Sequence, residues 1–243
     1  MANLTTDQSS NIPRLFKKIL LEQMKGQQLL DSDELSLFEW YAQERTKTID
    51  LMVTEETAFI KQQVDAGLDL GDVNDSGMVA VEYYIKRARH ADVIYLTSLL
   101  ELYLSRASKK LQEILGDHNV TFRPGELAGN KWVRHKKFIE GYGKFAFPDD
   151  AWSVLLTLID VRNILVHENG DTTAIKKPDI LDRIKKSPGL RADRGEIVIE
   201  DAYLTHCLSA FHSLVERINS QINQSIERTL QPQGLKPAKS LSG

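Results

Sequence analysis

The sequence predicts an all-α protein, an antiparallel bundle of four to five long helices with a small extended segment before the last one. Three observations carry this. Only 14 Gly and 7 Pro punctuate 243 residues, too few for the many turns of an all-β chain of that length. Leu, Glu, Lys and Ala, all strong helix formers, are plentiful. Apolar residues also recur at three- and four-residue spacings over stretches far longer than a strand.

Asn11 and Pro13 read as a helix entry, with Leu15, Phe16, Ile19 and Leu20 as the apolar face of a helix ending near Leu30. Asp31 with Glu34 resembles a capping box opening a long segment through Leu37, Trp40, Tyr41, Ile49, Met52, Phe59 and Val64. The stretch GLDLGDVNDSG, Gly67 to Gly77, has loop composition. Met78 to Leu115 is the longest periodic segment, with Val81, Ile85, Ala88, Tyr95, Leu99, Leu102, Leu111 and Leu115 on or near one stripe. Asp117 to Pro148 reads as irregular, with at most one short helix around Trp132 to Glu140.

Asp149 or Asp150 is expected to cap a short, heavily apolar helix through Trp152, Leu155, Leu158, Ile159, Val161 and Leu165, running out at Asn169 and Gly170. Asp171 to Gly195 is polar and basic. The alternation EIVIE, Glu196 to Glu200, suggests a short strand or extended edge, and Asp201 opens a last amphipathic helix. The division is 1–77, N-terminal helices packing on the core; 78–230, the helical core; and 231–243, a disordered tail.

The charge balance, 31 Lys and Arg against 34 Asp and Glu, gives a formal net charge of −3, which argues against general coating of nucleic acid but leaves local basic patches open. The single cysteine, Cys207, has no partner for an intrachain disulfide and no companions at zinc-ligand spacing, so a reducing cytoplasmic setting is expected, with Cys207 in the core. The longest apolar stretch, Val93 to Leu104, is interrupted by Thr97, Ser98 and Glu101 and is too short for a membrane span. No metal or other cofactor is implied, and no membrane role. Trp40, Tyr41, Tyr83, Tyr84 and Tyr95 read as core or interface residues rather than a cofactor box.

Nucleophile elbows, phosphate loops and zinc helices are absent from the sequence. What stands out is VRNILVHENG. Asn163 and His167 are four apart and share a helix face, with Asp160 one turn earlier, a polar stripe on an otherwise apolar helix. Arg162 lies roughly 140° round the helix from His167, so its long side chain, or a second copy of the protein, is needed to bring both groups to one substrate. His167 falls in the last turn, where the helix dipole favours a cationic imidazole, and acid and base roles are both open to it.

Arg162, Asn163 and His167, followed by Gly170, resemble the signature of the HEPN superfamily: arginine, a polar residue, then histidine after a short interval. Trp152, the long helix before it, and the extended stretch leading into a final amphipathic helix are similar to that family as well. The resemblance spans about Met78 to Leu230 and leaves the earlier helices and the basic insertion after Gly170 outside it. It implies a metal-independent endoribonuclease, of the kind that serves as a toxin or antiviral defence effector, acting as a homodimer across the motif helix. His167 would serve as general base or acid for attack of a ribose 2′-hydroxyl on the adjacent phosphate. Arg162 would stabilise the phosphorane oxygens, and Asn163 would orient phosphate or imidazole. An acidic residue on the preceding long helix is part of the same pattern; Glu101 is the candidate, with Arg162 as its natural ion-pair partner.

RNA contacts are expected from two basic segments. One holds Lys131, Arg134, Lys136 and Lys137 beside Trp132, with Tyr142 and Phe145 as further aromatic residues, and the other holds Lys176 and Lys177. Besides RNA, an antitoxin or other partner protein is a candidate partner; the alternatives to the nuclease are a catalytically silent HEPN module that dimerises and binds a partner protein or nucleotide, and a helical scaffold unrelated to the family.

Overall fold

The computed structural model of the chain describes residues 32–69, 71–115 and 124–230. The expected helix from Asn11 to Leu30, the cap at Asp31 and the tail from Gln231 lie outside them. Among the described residues there are six helices: α1 (Ser32–Asp65), α2 (Ser76–Leu115), α3 (Lys131–Gly141), α4 (Asp149–His167), α5 (Pro178–Lys186) and α6 (Asp201–Leu230). A hairpin of β1 (Leu190–Asp193) and β2 (Glu196–Ile199) precedes the last helix. The all-α class is as the sequence predicts, with the extended segment in its expected place. The helix α5 and the strand β1 were not foreseen. No described helix is long and apolar enough to cross a membrane.

The described residues fall into two compact units, one from residues 105–115, 124–146 and 216–230, the other from 32–69, 71–104 and 147–215. Helices α2 and α6 therefore contribute segments to both. In the first unit, Leu111, Ile114, Phe138, Ile139, Ile218 and Ile222 are buried. Helix α3 starts on Asn130, whose side chain accepts the Val133 N–H at 3.0 Å, the usual device for satisfying an orphan donor of the first turn. Ser108 Oγ and His135 Nδ1 lie 2.8 Å apart. The Gln221 amide brackets the Ala146 backbone, accepting its N–H at 2.8 Å and donating to its carbonyl at 3.1 Å.

The second unit buries Leu96, Leu100 and Leu104 of α2, Trp152, Leu155 and Leu158 of α4, and Tyr203, Cys207 and Phe211 of α6. Tyr103 meets Phe211 edge to face, ring centres 6.1 Å apart, and its hydroxyl donates to the Val215 carbonyl at 3.2 Å. The hairpin pairs Leu190 with Ile199 and Asp193 with Glu196. Its two loop residues, Arg194 and Gly195, both have positive φ, 49° and 84°, as a type I′ turn requires. Leu190, Ile197 and Ile199 are buried.

Two details of the helices differ from expectation. The buried line of α2 includes Val93, Leu96, Leu100, Leu104 and Leu111, while Tyr95 and Leu102 are exposed; on α1, Leu37, Trp40, Tyr41, Phe59 and Val64 are exposed as well, and Leu35, Phe38 and Ile49 are buried. Helical spacing identifies which residues share a face but not which face the fold covers. In addition, the N-cap of α4 is Pro148, with Asp149 and Asp150 in the first turn. These carboxylates complement the helix dipole rather than cap the chain.

Candidate functional site

Helix α4 carries the motif because most of its circumference is apolar and buried: Leu155, Leu158, Ile159, Val161, Ile164 and Leu165 are all covered. The polar residues Asp160, Arg162, Asn163 and His167 are left to the remaining face. Helix α4 ends sharply after His167. Asn169 and Gly170 both take positive φ, 50° and 86°, and the Glu168 and Gly170 N–H groups both donate to the Ile164 carbonyl at 3.0 Å. A Cβ at Gly170 would meet only ordinary contacts, at 3.6 Å or more, so the left-handed backbone is what favours glycine there.

Beyond the helix end the chain is held to the hairpin through its backbone. The Ile197 N–H donates to the Gly170 carbonyl at 2.9 Å, and the Thr172 N–H to the Gly195 carbonyl at 2.7 Å. Asp171 closes its own turn, its Oδ1 accepting from the Thr173 hydroxyl at 2.6 Å and N–H at 2.7 Å. The hydroxyl bond first and the backbone bond second hold its carboxyl below the usual range. His167 thus stands one turn before an anchored loop, with its side chain exposed.

Arg162 and Asn163 are half-buried, and the Arg162 Nη1 donates to Asn163 Oδ1 at 3.1 Å. The long side chain therefore draws the guanidinium round the helix onto the face that Asn163 shares with His167. Its bond goes to Asn163 and not to Glu101, so the expected Glu101–Arg162 ion pair does not form; Glu101 itself is half-buried. Asp160 is also engaged, by Arg183 of α5, which reaches Asp179 at 3.1 Å as well. That bond ties α5 to the motif helix.

The two basic segments fare differently. Lys176 and Lys177 are exposed immediately before α5, in the same unit as the motif. Lys131, Arg134, Lys136 and Lys137 all lie on α3, in the other unit. Lys131 sits over the Trp132 ring at 4.6 Å, Lys136 pairs with Glu140, and Lys137 donates to the Ala128 carbonyl at 3.0 Å. Trp132 and Phe145 are buried, so neither offers a face for stacking a base. Tyr142 packs against Phe138, ring centres 5.3 Å apart.

Sequence reasoning missed two residues beside the motif helix. Arg183 was signalled by Pro178 and Asp179, a proline and an acid in a first helical turn. His90, in the basic run KRARH (Lys86 to His90), is buried on α2, its Cε1 3.8 Å from where a Gly170 Cβ would stand. It lines a cleft of about 440 Å³ with Lys86, Arg89, Arg191 and Glu196. The cleft's charges are largely paired: Lys86 with Glu196, and Arg89 with Asp201 at 2.8 Å. Burial first, then Lys86 and Arg87, lower the proton affinity of His90. In comparisons with known proteins the chain matches no family model, no curated protein and no solved structure.

Proposed function

We propose that the protein is an endoribonuclease of the HEPN type, cutting RNA by transesterification without a metal ion, in the manner of a toxin or antiviral effector. The observation that carries the reading is the Arg162–Asn163 contact on a face that ends in the exposed His167. It gathers a permanent cation, a polar amide and an ionisable imidazole within two helical turns of one chain. A phosphodiester needs those groups: a guanidinium to meet its equatorial oxygens, and an imidazole to move a proton.

In the proposed reaction the ribose 2′-oxygen attacks phosphorus and the bond to the 5′-oxygen breaks. His167 takes the 2′-hydroxyl proton or delivers one to the leaving 5′-oxygen. Arg162 stabilises the charge gathering on the non-bridging oxygens, and Asn163 holds Arg162 in place. Lys176 and Lys177 supply exposed positive charge for the flanking phosphates. The products carry a 2′,3′-cyclic phosphate and a 5′-hydroxyl.

The test is incubation of the purified full-length protein with total RNA in excess chelator, with the product ends identified. Cleavage leaving cyclic phosphate, lost in both His167→Ala and Arg162→Ala, is the expected result. No cleavage, or equal cleavage by His167→Ala, overturns the enzyme reading in favour of a silent module.

A further inference from the structure

Helix α5 and the residues on either side of it form a cationic strip. From 176 to 194 the chain holds seven Lys and Arg against three Asp, in a protein whose formal net charge is −3. Lys176 and Lys177 precede the helix, and Lys185 and Lys186 close it; all four side chains are exposed. Among the described residues no carboxylate pairs with any of the four. The helix's own acids compete little, because Asp179 is engaged by Arg183 at 3.1 Å, which leaves Asp182.

The first pair of lysines does nothing for the helix it precedes. A helix N-terminus carries partial positive charge and disfavours a cation beside it, and Lys177, the N-cap of α5, makes no side-chain capping bond. Lys185 and Lys186 stand at the opposite end, which the dipole suits. Together the pairs make two positive stations. Lys177 and Lys186 are about 13 Å apart along the axis, a separation that about four stacked nucleotides of one strand span.

The strip is also fixed in place. Arg183 pairs with Asp160, which shares a face of α4 with Asn163 and His167, and Ile184 is fully buried. The lysines therefore hold a set position beside the helix that carries the motif. What they can recognise is limited by their chemistry. From Asp171 to Ala202 there is no Phe, Trp, Tyr or His, so no ring is present to stack on a base. Lysine is a point charge without arginine's planar fork, which suits a phosphate better than a base edge. A nine-residue helix presents one line of charge, not the width needed to span the grooves of a duplex.

The geometry points to α5 as a phosphate-binding track for single-stranded RNA, holding about four nucleotides on one side of the scissile bond by backbone charge and without regard to sequence. RNA is the polyanion chosen because the track is anchored on the motif helix, and that choice rests on the ribonuclease reading.

The test is fluorescence anisotropy of the full-length protein with a labelled single-stranded RNA of about 12 nucleotides, methylated at every 2′-oxygen so that transesterification cannot cut it. Two double variants are compared with the parent: Lys176→Gln with Lys177→Gln, and Lys185→Gln with Lys186→Gln. Each should weaken binding about 20-fold at ~0.1 M salt and lower the slope of log K against log salt by about 1.4, two phosphate contacts at about 0.7 each. The corresponding arginine pairs should keep both affinity and slope, and RNAs of different sequence should lose alike. A protein that does not bind this RNA overturns the inference, as do glutamine variants with unchanged affinity and slope, or a loss confined to one sequence. Binding to vesicles of phosphatidylserine and phosphatidylcholine in place of RNA assigns the lysines to a membrane surface and overturns it too. Because the probe is not cleaved, a protein that binds it through these lysines yet cuts no RNA retains the track and loses only the ribonuclease reading.

Discussion

Arg162 donates to Asn163 Oδ1 at 3.1 Å, although these chain neighbours start out about 100° apart round the helix. The consequence is chemical. A guanidinium that would otherwise point away from His167 is turned toward the imidazole's face, and Asn163 becomes the residue that holds it there. Loss of Asn163 should therefore act through Arg162. In the proposed cleavage, Asn163→Ala should lower the rate about 10-fold and Arg162→Ala about 100-fold or more. The double variant should be no worse than Arg162→Ala, which single-turnover kinetics on one RNA will show.

Arg45 and Asp92 are buried together, each with a side chain less than 5% exposed. Removing one partner leaves an uncompensated charge out of water. Arg45→Met should cost about 3–5 kcal/mol, and the double variant with Asp92→Leu should recover a good part of it. Chemical denaturation of the three variants measures the coupling.

Gly170 ends the motif helix at φ 86° with room for a methyl group beside it. Gly170→Ala should therefore cost only the backbone strain, about 1–2 kcal/mol, read as a shift in the urea midpoint with m unchanged.

His90 is buried, and its proton affinity is lowered, chiefly by burial and then by Lys86 and Arg87, with Glu196 opposing them. Its folded pKa lies below its unfolded one, so its contribution is fully present above the ordinary imidazole value of about 6.5 and is lost as pH falls below that toward the folded value. Between pH 7.5 and 5.5 the fall in Tm should be about 2–4 °C smaller in His90→Gln than in the parent.

Burial pushes the Cys207 thiol up to about 12, and Cys207 is unbridged. At pH 8 the native protein should react with a thiol reagent at least 100-fold more slowly than the denatured chain, followed by absorbance.

Most helices were legible in the sequence because their apolar spacing is long and regular: α2 runs as its periodicity indicates, and α4 ends where Asn169 and Gly170 say it must. The motif residues were legible for the same reason, as polar interruptions of an apolar helix. What could not be read was direction. Tyr95 and Leu102 share a helix with Leu96 and Leu100, yet the first pair faces water and the second is buried, a difference set by what packs alongside. The partners of Arg162 and Asp160 were hidden too. Choosing Asn163 over Glu101, and bringing Arg183 to Asp160, depends on rotamers and on the short α5, whose nine residues are too few for a periodic signal to stand out.

The loop after the motif helix is held by its main chain, through the Gly170, Thr172, Gly195 and Ile197 amides and carbonyls. Apart from Gly170 and Gly195, whose positive φ favours glycine, and Asp171, whose carboxylate holds Thr173, such an anchor places few demands on side-chain identity. The neighbouring exposed positions, Lys176 and Lys177 among them, are thus free to diversify while the end of α4 keeps its shape. The charge of that surface can therefore be altered by substitution while the helix end that precedes it stays as it is.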